Sequence, residues 1–109
     1  MAIQKAHKKL VEMLLSQAKG SDYVKIPLKK FAGLYNIQDY LEDEEELEFV
    51  IEDILMELSE YELKLTKDGE ELLLPQCGIV KADYPGDGEK VIFKLDKAVV
   101  DADTFEIVE

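Results

Sequence analysis

Apolar residues recur at helical spacing near the start of the chain. Ile3, His7, Leu10 and Leu14 share one face, with Val11, Leu15 and Ala18 beside them. Gly20 marks the end of this first helix, in the C′ position where a positive φ is common. Tyr23-Val24-Lys25-Ile26 alternates as a short strand does, and Pro27 halts it. Pro27 also suits the first turn of a second helix, whose apolar face is Leu28, Phe31, Ala32 and Leu34. Tyr35-Asn36-Ile37-Gln38 reads as a turn. Asp39 followed by Glu42 fits a capping box, in which side chains satisfy the orphan amides of a helix start. The third helix that follows is predicted to bury Leu47, Val50, Ile51, Ile54, Leu55 and Leu58.

From Glu62 onward the period changes from helix to strand. Leu63-Lys64-Leu65-Thr66 alternates, Asp68-Gly69 is a hairpin signal, and Leu72 to Leu74 returns. Gly78 to Tyr84 is a further strand candidate, Pro85-Gly86-Asp87-Gly88 a turn, and Val91 to Leu95 the next strand. The tail from Val99 to Glu109 carries Phe105, Ile107 and Val108, which suit a last edge strand or a partner-binding end. The expected class is α+β: three helices, a short strand after the first, and a strand-rich second half. No repeat, linker or boundary divides the chain, so residues 1–109 are expected to form one domain.

Charge alters this picture more than composition does. The 47% apolar content is ordinary for a folded domain, but the net charge is −12. Twelve carboxylates and no lysine lie between Asp39 and Glu62; elsewhere thirteen Asp and Glu balance thirteen Lys. There is no arginine, so the chain lacks the planar fork that dominates bidentate phosphate and guanine recognition. Residues 1–30 are locally basic, seven Lys against Glu12 and Asp22, and are expected to face the acidic stripe. A lone Cys77 forms no internal disulfide, and no apolar run is long enough to span a bilayer. A cytoplasmic protein without a membrane partner is the expectation.

Helix, short strand, helix, turn, long helix and hairpin is the order of a winged helix. Along KKLVEMLLSQ, YVKIPLKKFAGLYNI, ELKLT and LLLPQCGIVKADYPGDGEKVIFKLD the chain resembles the winged-helix domain of plasmid replication initiator (Rep) proteins. The resemblance implies a helix-turn-helix from the middle helices and a β-hairpin wing with extra strands. It also implies a plasmid or viral origin and a mobile-element context. In that family one winged helix reads the major groove, and another mainly dimerises and touches backbone. Here the helix in the recognition position begins at Asp39 and presents Glu42, Asp43, Glu44, Glu45, Glu46 and Glu48. Recognition helices dock through their N-terminal residues, and these would meet phosphate with like charge.

The leading expectation is therefore a non-enzymatic interaction module. Glu42, Asp43, Glu44, Glu45, Glu46, Glu48 and Glu52 would dock a basic, nucleic-acid-binding protein, with homodimerisation as a further expectation. Carboxylates on successive helix turns would imitate the phosphates of a duplex. A solvated face that aids solubility is the plain alternative. The competing function is an initiator-like DNA binder that uses Lys5, Lys8, Lys9, Lys25, Lys29 and Lys30, or Lys90 and Lys94, on backbone. No catalytic, cofactor or metal residue is assigned. His7 and Cys77 are seventy residues apart and make no zinc pattern, and Asp101-Ala102-Asp103 lacks calcium-loop spacing. His7 suits a half-buried filler position, and Cys77 a buried inert thiol. Tyr35, Tyr40 and Tyr61 are expected to seal the ends of the core, and Tyr23 and Tyr84 to pack on strands.

Overall fold

A computed structural model describes residues 4–86 and 88–108. Ile3 of the first apolar repeat, Asp87 of the Pro-Gly turn and Glu109 of the tail lie outside the described residues. The first helix, α1, spans Lys5–Gln17 and buries His7, Leu10, Val11 and Leu14. It ends at the Ala18 cap, so Gly20, at φ +87°, serves the turn beyond rather than the C′ position. The strand β1, Tyr23–Pro27, buries Val24 and Ile26. Helix α2, Leu28–Tyr35, starts one residue after Pro27, which therefore occupies the cap and not the first turn. Asn36 closes α2 in the left-handed conformation at φ 57°, where its short polar side chain is tolerated.

The third helix begins later than the Asp39 pattern predicts. Residues Gln38–Tyr40 form a 3₁₀ turn, and successive short bonds carry the chain to Asp43. Helix α3 spans Glu44–Leu58, with Asp43 Oδ1 accepting from the Glu46 amide at 3.3 Å. Asp43-x-x-Glu46 repeats the pattern of Asp39-x-x-Glu42 four residues on. The later start places the Asp43 cap one turn before Leu47, the first fully buried residue of the helix.

The second half holds β2 (Glu62–Lys67), β3 (Glu70–Leu74), β4 (Ile79–Asp83), β5 (Lys90–Leu95), the short α4 (Lys97–Val100) and β6 (Thr104–Val108). Four α-helices, not three, are thus present among the described residues; Asp96 caps the extra one by accepting from Ala98 N at 2.9 Å. Asp68 and Gly69 turn β2 into β3 with φ of 51° and 81°, the backbone a two-residue primed turn needs. The strands make two antiparallel sheets. In the first, β5 lies between β1 and β4; in the second, β2 lies between β3 and β6, so the tail is an edge strand.

One continuous apolar cluster joins both sheets to the helices, with Leu10, Leu14, Phe31, Ile51, Leu63 and Phe93 fully buried. Each such side chain contributes about 1.5–3 kcal/mol relative to an exposed one. The chain passes from the second sheet to the first through a corner at Pro75–Gly78. Gln76, Cys77 and Gly78 are all left-handed there, with φ of 54°, 56° and 72°. Only glycine fits the last place, because a Cβ on Gly78 would stand 2.9 Å from the Leu63 side chain and 3.0 Å from Val99. Two bonds hold the corner: Cys77 N to Tyr61 O and Asp96 N to Gly78 O, each 2.8 Å. No helix among the described residues is long and apolar enough to cross a membrane.

Candidate functional site

At about 100° per residue, Leu47, Ile51 and Leu58 set the inward line of α3. Phe49 and Met56 are two turns apart and lie roughly opposite that line. They are 65% and 66% exposed, the most outward apolar side chains of the helix. Glu45, Glu48 and Glu52 lie along one side of them and Glu46 and Asp53 along the other, all exposed. Met56 and its neighbours Leu55, Leu58 and Ser59 then meet Gln76, Ile79, Val80, Lys81 and Ala82 across a groove of about 280 Å³.

The structure thus brings Glu45, Glu46, Glu48 and Glu52 round an apolar line. Glu44 sits in the first turn nearer the core side, and Glu42 and Asp43 precede the helix, with Asp43 engaged in capping. Among the described residues, Glu44, Glu45, Glu46, Glu48, Glu52 and Asp53 carry no ion pair. The first-turn acids are favoured by the helix dipole, by about 0.3–1 kcal/mol each at low salt. The i,i+4 acidic pairs within α3 are Glu44–Glu48, Glu48–Glu52 and Asp53–Glu57. Each opposes helix formation by about 0.2–0.5 kcal/mol. Phe49, Met56 and Asp53 are missed by periodicity because they are off the buried stripe; the available signal was two large apolar residues at i and i+7 inside an acidic run.

Among the described residues no lysine is paired with these α3 carboxylates, although Lys81 lines the groove beside Met56. Lys5 and Lys8 line a groove with Glu12, Phe105, Glu106 and Ile107 at β6. Lys9, Lys29 and Lys30 are exposed on α1 and α2. Lys25 belongs to a different surface, the outer face of the first sheet. There the register places Tyr23 opposite Lys94 and Lys94 opposite Lys81, with Lys25 opposite Ile92 and Pro27 opposite Lys90. Lys94 Nζ stands 5.6 Å from the Tyr23 ring centre, and Tyr23 is exposed rather than packed.

Beneath α3 the interior polar groups form a second cluster. His7 is fully buried rather than half-buried, its Nδ1 at 2.7 Å from the Tyr35 hydroxyl and its Nε2 at 3.3 Å from Glu57 Oε1. Gln4 Nε2 donates to the same carboxylate at 2.8 Å. The Tyr35 and Tyr61 rings lie 5.4 and 5.6 Å from the imidazole, so these two tyrosines do close the core, whereas Tyr40 is exposed. Burial first, then Glu57 and Cys77, holds the Tyr35 phenol protonated well above the usual tyrosine range. It can therefore donate to Nδ1, while the buried Nε2 makes no hydrogen bond among the described residues. Burial also pushes the Cys77 thiol up to about 11, so it is protonated and weakly nucleophilic at neutral pH. Asp103 Oδ2 accepts from Asp68 N at 3.1 Å, which places it in the hairpin support. Among the described residues, no group of three His, Cys, Asp or Glu side chains is arranged to hold a metal ion.

Set against protein-family models, curated proteins and solved structures, the chain matches none of them.

Proposed function

We propose that this α+β protein is a non-enzymatic interaction module of winged-helix type. Its partner is a basic, nucleic-acid-binding protein that docks on the outer face of α3. The winged-helix reading is supported by connectivity: α1, β1, α2 and α3 precede the β4–β5 hairpin, with the β2–β3 hairpin inserted after α3, and β1 closes the sheet against β5. The β2–β3 hairpin and β6 then form an added sheet. One observation carries the functional reading: Phe49 and Met56 stand outward among carboxylates, none of which is paired with a lysine among the described residues. A solubilising face needs no exposed aromatic at its centre, whereas interfaces concentrate their energy in such apolar anchors inside a polar rim. The surrounding charge steers a basic partner and repels nucleic acid. A small plasmid or viral protein that antagonises a DNA-binding protein, its carboxylates in place of phosphates, is the concrete form.

Affinity capture from lysate of the source cells tests this. Basic proteins are expected on the wild-type bait, and they are expected to be lost from a Glu45→Gln, Glu48→Gln, Glu52→Gln bait and from a Phe49→Ala, Met56→Ala bait of unchanged melting. The same retained proteins on all three baits would sink the reading. A second function, DNA binding of initiator type, is favoured by the Lys25, Lys81, Lys90 and Lys94 face. An electrophoretic shift with random duplex, lost on Lys81→Ala with Lys94→Ala and weakening steeply with salt, would put that function first.

A further inference from the structure

We infer that the groove between the C-terminal half of α3 and β4 receives an amphipathic, basic α-helix of the partner, with a large apolar side chain seated between Met56 and Val80. This rests on the acidic face of α3 being the docking surface, and it names the form of what docks there. The groove has an apolar floor, Leu58 and Ile79, both buried, and an apolar rim in Met56, Val80 and Ala82. Ser59, Gln76 and Lys81 also line it, so the carboxylates that attract a basic helix lie along α3 beyond the groove and the seated side chain itself is apolar. Val80 is 56% exposed, so the rim continues the outward line of Phe49 and Met56 onto the sheet.

An extended peptide is the natural rival, because β4 is an edge of the first sheet. Its ladder is broken, however: the register shifts between Ile79 and Lys81, and Val80 bulges out of the pairing. A bulged edge is a poor template for another strand. The helix face, by contrast, is already spaced for a helix. Phe49 and Met56 are about 10 Å apart along the axis of α3, the distance between i and i+7 positions of a helix lying beside it. Charge fixes the chemistry of that helix. Glu45, Glu48 and Glu52 flank the line on one side and Asp53 on the other, so lysine or arginine must border its apolar face.

Two synthetic peptides of identical Leu and Lys composition, each about four helical turns in length if helical, distinguish these possibilities. One has leucines at helical spacing and the other has strict alternation, which favours a strand. Anisotropy titrations against the intact protein at low salt are expected to show the helical-pattern peptide binding at least about tenfold more tightly. Val80→Glu, and separately Met56→Ala, are expected to erase that preference with no change in melting, since both side chains are exposed. Equal, salt-sensitive binding of the two peptides would overturn the groove and leave the acidic face standing. A preference that survives both variants would also overturn the groove. Binding of neither peptide would remove the acidic face as well.

Discussion

Cys77 is the residue on which several constraints converge. Its backbone is left-handed, its amide is bonded to Tyr61, and its thiol lies against the core. A non-glycine residue in that conformation is disfavoured by roughly 1–2 kcal/mol, so the position is maintained by what surrounds it. The thiol gives a pH signature. Its ordinary value of 9.0 is raised to about 11 in the fold by burial. Above 9.0 the unfolded chain sheds a proton that the folded protein keeps, so stability is fully present below 9.0 and falls as pH rises through about 11. Tyr35, raised by burial in the same sense, extends the loss to higher pH. Denaturant unfolding followed from about pH 8 upward is expected to show this decline, less steep in Cys77→Ala. An identical slope in that variant would mean the thiol has no part in it. His7 shows how a sequence misleads at this scale. Its place on the apolar face among lysines suits a half-buried filler, yet it is fully buried against Tyr35 and Glu57, partners 28 and 50 residues away.

Among the elements, the start of α3 separates two equally good capping patterns. Asp43→Ala is expected to lower stability by about 1 kcal/mol, a fall in Tm of roughly 4–8 °C for a domain of this size. Asp39→Ala, in the 3₁₀ turn, is expected to stay within about 0.5 kcal/mol. The reverse order in thermal melts would place the helix start where Asp39 predicts. Local signals were otherwise legible: the Asp68-Gly69 hairpin, the buried stripe of α3 at Leu47, Ile51 and Leu58, and a last edge strand in the tail, though not its pairing with β2, follow from period and turn chemistry. The two anchors of the candidate site were not, since a periodicity argument accounts for residues that are buried, and Phe49 and Met56 are the ones left out. The bulge at Val80 leaves no mark in Gly78 to Tyr84 either, because it depends on how β4 meets β5.

At the scale of the molecule, long-range pairing was the least legible feature. No local rule says that β1 pairs with β5, which is separated from it by α2, α3 and the β2–β3 hairpin, or that the strands divide into two sheets. The charge distribution, by contrast, was plain, and it has a global consequence. A net charge of −12, whose excess lies between Asp39 and Glu62 in and beside α3, opposes its own compaction. Raising salt shortens the screening length from about 30 Å at 0.01 M to about 3 Å at 1 M, so Tm is expected to rise with sodium chloride. A flat or falling Tm would mean the carboxylates are already compensated within the fold. The corner at Pro75–Gly78 acts at this scale too. It receives Tyr61 from the exit of α3 and Asp96 from the exit of β5, and it is the shortest of the covalent links between the sheets. Neither sheet can therefore fray at that point without disturbing the other. The two sheets should behave as a single cooperative unit in amide exchange, with Cys77 and Asp96 among the last amides to open.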